Sequence, residues 1–273
     1  MRVELRCPVR GCTETLARRQ NRWECVRNHS FDVSRSGALT LLQPQDRRSK
    51  NPGDSREAAQ ARRRLAAFDH ARTVHDAFLH VLRTADVKRP ALLDVGCGEG
   101  AFLRAASSVP GIELHGIDLS APSADMAAKS LPEGLFVVAN ADRGLPYADR
   151  SFTFIASIDS RIHANEFARV LSSDGLVLVA VPGAEDLIEL RERVAGRRVE
   201  RPRTERLLEE MNALFRVVER TTAAELRHCG PEALRDLLTA TYRGFRRTER
   251  VAVEHLDSMS VTLSHDVIAF RAR

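Results

Sequence analysis

The run Ala91-Leu-Leu-Asp-Val-Gly-Cys-Gly-Glu-Gly100 constrains this chain more than any other stretch, because a segment of buried-strand character breaks into a glycine turn that opens a helix. Gly96, Gly98 and Gly100 carry no Cβ and reach positive φ readily, so the main chain can approach a ligand closely at the carboxyl end of a strand. Spaced glycines alone also suit a plain strand-to-helix corner. Two acids raise the pattern above that reading. Asp94 stands just before the turn, and a second apolar run, Leu114-His-Gly-Ile-Asp118, ends in an acid about twenty residues further on, where a ribose hydroxyl pair would lie.

Short apolar runs at 91–95, 114–117, 135–139, 152–157 and 176–181 alternate with helical stretches such as 121–130 and 164–171. That alternation predicts parallel βαβ units in a doubly wound α/β sheet, with the ligand at the strand carboxyl ends. Before it, Asp54 or Ser55 caps a predicted helix rich in Ala, Arg, Glu and Gln that continues through Leu65, Phe68, Val74, Phe78 and Leu79. After Gly183 the chain turns Arg-rich and reads as helix to Val194, then as strand over 215–220. Residues 259–270 partly alternate and are expected to close the sheet as an antiparallel edge.

At 273 residues and 43% hydrophobic, the chain can bury one medium domain plus a small appendage. No apolar run approaches the roughly 20 residues of a membrane span, and Met1-Arg-Val-Glu-Leu-Arg6 lacks the apolar core of a signal peptide. The expectation is a cytoplasmic protein without a membrane partner. Residues 1–64 hold 15 Lys and Arg against 7 acids, whereas residues 65–273 hold 27 against 30, so the positive excess belongs to the N-terminal quarter. A basic segment of that kind suits a polyanion such as RNA, or else an Arg-rich solvated surface.

Residues 1–42 are too few for a core of their own, since Trp23, Phe31 and a few Leu and Val are all they can bury. Three of the five cysteines fall in the first 25 residues, a placement that favours metal or free thiols over disulfides in a reducing compartment. Cys7-Pro-Val-Arg-Gly-Cys12 and Cys25-Val-Arg-Asn-His29 offer three sulfurs and one imidazole, a closed tetrahedral set for structural Zn2+, with incidental cysteines as the alternative. The polar stretch 43–55 reads as a linker. The expected organisation is a zinc-binding module for RNA recognition over 1–42, a basic linker and helix start over 43–64, and the α/β domain over 65–273.

The glycine spacing Gly96-x-Gly98-x-Gly100 is shorter than a dinucleotide fingerprint and resembles the S-adenosylmethionine loop of class I methyltransferases, a Rossmann-like fold. That resemblance implies that Asp94, Gly96, Gly98 and Glu99 line the methionine end of the cofactor, that Asp118 takes the ribose, and that Asp142 of Asn140-Ala-Asp142 lies near the adenine amino group. The order of parts is more specific. The cysteine cluster, Phe31-Asp-Val with Gly37 and Leu41-Leu42, Arg48-Ser-Lys-Asn-Pro-Gly-Asp-Ser55, Ala61-Arg-Arg63 and Asp94 to Gly100 together resemble the bacterial 23S rRNA (guanine-N1) methyltransferases. The resemblance runs from about Cys7 to Leu190. It implies a zinc module gripping a 23S rRNA hairpin, methylation of N1 of one guanine, and a homodimer.

The chain departs from that family's pattern at four places. Four residues separate the first cysteine pair instead of two, Ala71 follows His70 where an aromatic is usual, Asp186 replaces a histidine, and Asp159-Ser160-Arg161 replaces aromatic-Ala-Pro after the fourth strand. No general base is fixed by pattern. Asp159, at the expected end of that strand, is the candidate, with a capping or surface acid as the alternative. Cys97 needs no nucleophilic role in N-methylation, Cys229 reads as structural, and the run Arg191, Arg193, Arg197, Arg198, Arg201 and Arg203 reads as a solvated linker or an RNA contact. Methylation of another RNA or a small molecule, and zinc-dependent RNA binding without turnover, are the competing functions.

Overall fold

Strands that must bury both faces need cover on both, and the central apolar runs receive it. The computed structural model describes residues 3–46, 53–196, 198, 200, 203–241 and 257–273. Of the residues singled out above, Arg48 to Pro52, Arg197 and Arg201 lie outside these. Strands β5 (Ala91–Val95), β6 (Glu113–Asp118), β7 (Leu135–Val138), β8 (Phe152–Ile158) and β9 (Leu171–Pro182) run parallel. Two further strands, β10 (Phe215–Cys229) and β11 (Met259–Ala272), and the short β4 (Leu39–Thr40) complete an eight-stranded sheet of order β10-β11-β9-β8-β5-β6-β7-β4. The strand order reverses between β5 and β8, which opens a crevice at their carboxyl ends.

Alternate residues of each strand enter different cores. Leu93, Val137, Val177 and Val179 pack with Tyr147, Phe152 and Phe167 on one face, whereas Leu92, Phe136, Val138 and Leu178 pack with Phe78, Phe102 and Phe154 on the other. Helices α3 (Ala101–Ala106), α4 (Ala121–Ser130), α5 (Ala164–Val170), α6 (Ile188–Ala195), α7 (Thr204–Met211) and α8 (Pro231–Thr241) connect the strands. Among the described residues no helix is long and apolar enough to cross a membrane.

The single helix expected after Ser55 is two. Helix α1 (Arg56–Ala67) is capped by Ser55, whose Oγ accepts from Ala58 N at 3.1 Å, and α2 (Arg72–Thr84) follows a break at Asp69, where φ is +52°. The break exists because the two apolar stripes serve different cores. Leu65 packs with Leu187, Leu190 and Leu234, while Val74 and Phe78 lie under the sheet with Phe102. Phe68, expected on the buried stripe, is 72% exposed at the junction.

The C-terminal strand is antiparallel as expected, but it is not the edge. The strand expected over 215–220 extends to Cys229 and pairs along the outer side of β11, from Phe215 opposite Ala272 to Cys229 opposite Met259. At the other end of the sheet, β4 lies parallel to β7, and Leu41 N donates to Val138 O at 2.9 Å. Arg6 N donates to Pro146 O and Ala148 N to Glu4 O. These main-chain bonds fasten the N-terminal segment to the α/β body.

Candidate metal centre and active site

The N-terminal residues form a small antiparallel sheet, β1 (Ala17–Arg19), β2 (Arg22–Glu24) and β3 (Ser30–Asp32), beside two tight turns. Each turn carries one left-handed residue immediately before its second ligand, Gly11 (φ +75°) before Cys12 and Asn28 (φ +62°) before His29. Cys12 N donates to Val9 O and Asn28 N to Cys25 O, so both chains fold back on themselves. The longer first turn, with four intervening residues, closes as well as the second.

The ligand atoms of Cys7, Cys12, Cys25 and His29 all lie within 4.8 Å of one another. Nδ1 of His29 is 3.3 Å from Cys7 Sγ and 3.4 Å from Cys25 Sγ, and the Cys12 and Cys25 sulfurs are 4.0 Å apart. Zn–S and Zn–N bonds of about 2.3 and 2.0 Å put tetrahedral ligand atoms roughly 3.5–3.8 Å apart, so the set fits Zn2+. Burial pushes the Cys7 thiol up to about 12. A cation among these crowded sulfurs would draw them to thiolates.

At the sheet, the glycine turn adopts the conformations its residues permit: φ is +82° at Gly96, +54° at Gly98 and +81° at Gly100. Gly96 N and Cys97 N both donate to Ile117 O, which pins the turn to the end of β6. Asp118 completes the link, its Oδ2 accepting from Gly98 N at 2.9 Å and its Oδ1 from Ser120 N at 2.7 Å. Asp94, Gly96, Gly98, Glu99 and Asp118 are thereby brought to one rim.

Asp94 is the unsatisfied member of this group. It is 3% exposed, its Oδ1 is buried without a hydrogen-bond partner, and burial, with the charges of Asp118 and Glu99, pushes its carboxyl up to about 8. Burial also raises Asp118 and Glu99. Three carboxyls around a glycine turn leave a deficit of positive charge that an ammonium or sulfonium ligand would fill. The site thus fits the cationic methionine end of S-adenosylmethionine, and the free lone pairs of Asp118 suit ribose hydroxyls.

Arg62 of α1 is the residue that sequence reasoning passed over. Its Nη2 pairs with Asp54 at 2.5 Å, its Nε lies 3.8 Å from Glu99, and a Cβ placed on Gly98 would be 3.7 Å from it. In the sequence it stands within Ala61-Arg-Arg63, part of the family resemblance, with no role attached to it. Gly53 and Asp54 in turn lie against Ser120, whose Oγ donates to Asp54 O at 2.9 Å. Asp142 sits further out, on the short 3-10 turn Ala141–Arg143, 48% exposed and paired with Arg161 at 2.9 Å.

Beyond β8, Asp159 holds φ +52° and its Oδ2 contacts Nε2 of His265 at 3.1 Å. Ser160 leans on the glycine turn, since a Cβ at Gly96 would collide with its Oγ. Asp186 Oδ1 accepts from Ser264 N at 3.0 Å, and burial raises its carboxyl. His70 packs at the α1–α2 break with a buried, unpartnered Nδ1, and burial lowers it to about 4. Cys97 is buried and pushed well above the usual thiol range by desolvation, and Cys229 is buried beside Leu65. Arg191 is buried with Nη2 on Ala184 O, while Arg198 pairs with Glu192 and Glu185 at the surface.

A doubly wound sheet with an antiparallel penultimate strand, a glycine turn ringed by acids and a Cys3His knuckle pair defines an S-adenosylmethionine-dependent class I methyltransferase carrying a zinc ribbon. Residues 93–179 match the family model described as "Methyltransferase domain", and residues 5–50 match the zinc-ribbon model described as "RlmA, N-terminal". The chain is 30% identical over 239 residues to the Micromonospora griseorubida protein named "Putative 23S rRNA (guanine-N(1)-)-methyltransferase", covering 80% of this chain and 79% of that protein. It is 28% identical to the 23S rRNA (guanine(748)-N(1))-methyltransferase of Streptomyces fradiae, covering 78% and 76%. The chain belongs to the 23S rRNA (guanine-N1)-methyltransferase family. In fold it is similar to the solved structure of a Bacillus halodurans "putative methyltransferase" (TM-score 0.51, 14% identity, 71% of this chain and 97% of that one).

Proposed function

We propose that this protein transfers the methyl group of S-adenosylmethionine to N1 of a guanine in a 23S rRNA hairpin, in the cytoplasm. The observation that carries the reading is the buried, unpartnered Asp94 carboxyl beside the glycine turn, fastened in the same molecule to a basic zinc ribbon. In this reading the cofactor supplies an electrophilic methyl on sulfonium, and the residues position it. Asp94 and Glu99 take the ammonium of the methionine end, Arg62 takes its carboxylate, and the main chain of Gly96 and Gly98 leaves room for both. Asp118 holds the ribose and Asp142 the adenine edge. In-line displacement needs alignment more than activation, so rigid holding of the donor supplies much of the acceleration.

The zinc ribbon over 1–42 is proposed as the RNA grip, 43–64 as a basic connection and 65–273 as the catalytic body. The bonds of Arg6 and Leu41 to the body keep the ribbon in a fixed relation to the crevice, so an RNA gripped by one presents a set base to the other. The homodimer implied by the family resemblance belongs to this proposal too. A second reading, another RNA or a small molecule as acceptor, draws on the altered exit of β8 at Asp159-Ser160-Arg161. Nuclease mass mapping of 23S rRNA with and without the protein separates the two. A new N1-methylguanine supports the reading, and unchanged guanine methylation throughout overturns it.

A further inference from the structure

The exit of β8 gathers groups that lie far apart in the chain. Asp159 follows β8 directly, His265 sits on β11 opposite Pro182 at the end of β9, Asp186 precedes α6, and His70 fills the α1–α2 break. Asp159 is held in the left-handed region at φ +52°, a strained conformation that the surrounding contacts must enforce. Its side chain remains 41% exposed, and among the described residues only Oδ2 is engaged, by His265. Oδ1 is left without a hydrogen bond among the described residues, at the carboxyl end of β8. The next residue, Ser160, touches Gly96, so Asp159 lies one residue along the chain from a contact with the glycine turn.

We propose that Asp159 is a catalytic residue whose Oδ1 reads the donor edge of the target guanine and accepts its N1 proton, with His265 as the positioning residue. This rests on the guanine-N1 reading above. Guanine presents N1–H and N2–H2 side by side on its Watson–Crick edge, two donors that one carboxylate oxygen can accept together and that adenine does not offer. In the step itself, the N1–H bond breaks and its proton passes to Asp159. The electron pair left on N1 forms the bond to the methyl carbon, and the methyl carbon–sulfur bond breaks with its pair onto sulfur, discharging the sulfonium to a thioether.

The charges around the pair are consistent with that work. Desolvation opposes ionisation of both partners, of the partly exposed Asp159 as of the more enclosed His265, but each overcomes it in the other's field: Asp159 is held below the usual carboxylate range and His265 rises to about 9. Arg203 and His70 also face Asp159, Asp186 and Asp266 face His265, Arg191 faces Asp186, and Arg227 faces His70. A carboxylate held this low takes the proton late, in step with carbon–nitrogen bond formation, when N1 has become acidic. Above pH 9 the imidazolium is lost, and with it the positive charge that steadies the carboxylate.

The test uses the full zinc-loaded chain, S-adenosylmethionine and an unmodified 23S rRNA transcript, with N1-methylguanine mapped by mass. Asp159→Asn should lower kcat about 100-fold while leaving cofactor affinity within twofold. His265→Gln should lower kcat about tenfold and remove an alkaline limb near pH 9 from the kcat/KM profile. Without cofactor, a short RNA carrying inosine at the mapped position, which lacks the N2 amino group, should bind the wild-type protein about tenfold more weakly than its guanosine counterpart. Asp159→Asn should erase that difference. Normal turnover by Asp159→Asn, or equal binding of inosine and guanosine RNA by the wild type, overturns the inference while the guanine-N1 reading stands. The inosine comparison holds even if a variant fails to fold. Absence of N1-methylguanine with the wild type overturns the functional reading and the inference together.

Discussion

The zinc knuckles and the exit of β8 each crowd titratable side chains into a small volume, yet they are assembled on opposite principles. Cys7, Cys12, Cys25 and His29 come from one short segment, and each pair is shaped by its own turn. Asp159, Asp186, His70 and His265 meet only because the sheet order sets β8, β9 and β11 side by side. The first cluster is a cause of its local fold and the second a product of the whole fold. It follows that the knuckles should collapse when their ion leaves, whereas single changes at the β8 exit should alter chemistry and leave the fold standing.

Removing zinc tests that contrast with the largest expected effect. Besides its ligand cysteines, the described part of the module buries only Leu5, Leu16, Phe31, Ala38, Leu39 and Leu41, too few to hold it, and the ion supplies on the order of 10 kcal/mol of apparent folding free energy in sites of this kind. Chelation, or Cys25→Ser, should lower affinity for the 23S rRNA transcript at least about 100-fold. Cofactor affinity should stay within about threefold, because the glycine turn is braced by Ile117 and Asp118 and not by the module. Zinc content, gel-shift titration and calorimetry measure the three quantities. If cofactor binding falls as far as RNA binding, the two regions are not separable.

Asp94→Asn comes next, and it should move stability and affinity in opposite directions. The folded carboxyl sits at about 8 against an unfolded value near 3.9, so the fold favours the protonated form. The stability contributed is complete below about pH 4 and is lost as pH rises through 8. Asn cannot ionise. The ligand-free variant should therefore melt above wild type at pH 9, by an amount on the order of a few kcal/mol in stability, and match it at pH 4. Its S-adenosylmethionine affinity should fall about 50-fold, and saturating cofactor should raise the melting temperature of wild type alone. A variant that binds the cofactor normally would remove Asp94 from the site.

Arg62→Ala should have a smaller and more selective effect, about a tenfold loss of cofactor affinity. Arg62 links Asp54, Glu99 and the carbonyl of Ala240, so its removal also loosens α1 against α8. Adenosine, which lacks the methionine carboxylate, provides the control. Equal loss for adenosine and S-adenosylmethionine would mean that Arg62 only supports the crevice walls.

The same division between local and assembled features explains what could be read from the sequence. The parallel strands, the glycine turn with Asp94 and Asp118, and the four zinc ligands were legible because strand period, glycine conformation and ligand spacing are properties of neighbouring residues. The α1–α2 break was not. A helical run of apolar residues does not say that Leu65 and Val74 serve different cores, and only the left-handed Asp69 between them records the change. His265 was equally hidden, since nothing in an alternating strand distinguishes a histidine opposite Pro182 from one facing solvent. Asp159 was noticed as a departure from the family pattern, but its partner required the register of β11 against β9.

Asp142 provides the smallest effect and the finest comparison. Like Asp94 it was placed at the cofactor by sequence pattern, and like Asp94 it stands on the crevice side of the sheet, but its side chain is 48% exposed and already paired with an Arg161 that is 79% exposed. Exposed pairs of this kind contribute roughly 0–1 kcal/mol, and a hydrogen bond to an adenine amino group competes with water at the same place. Asp142→Ala should weaken S-adenosylmethionine binding no more than about threefold, with unchanged melting temperature. The loss should appear equally with adenosine, in contrast to Arg62→Ala. A tenfold or greater loss would mean that cofactor binding buries this acid, drawing Asp142 away from Arg161 and closing the outer rim over the adenine.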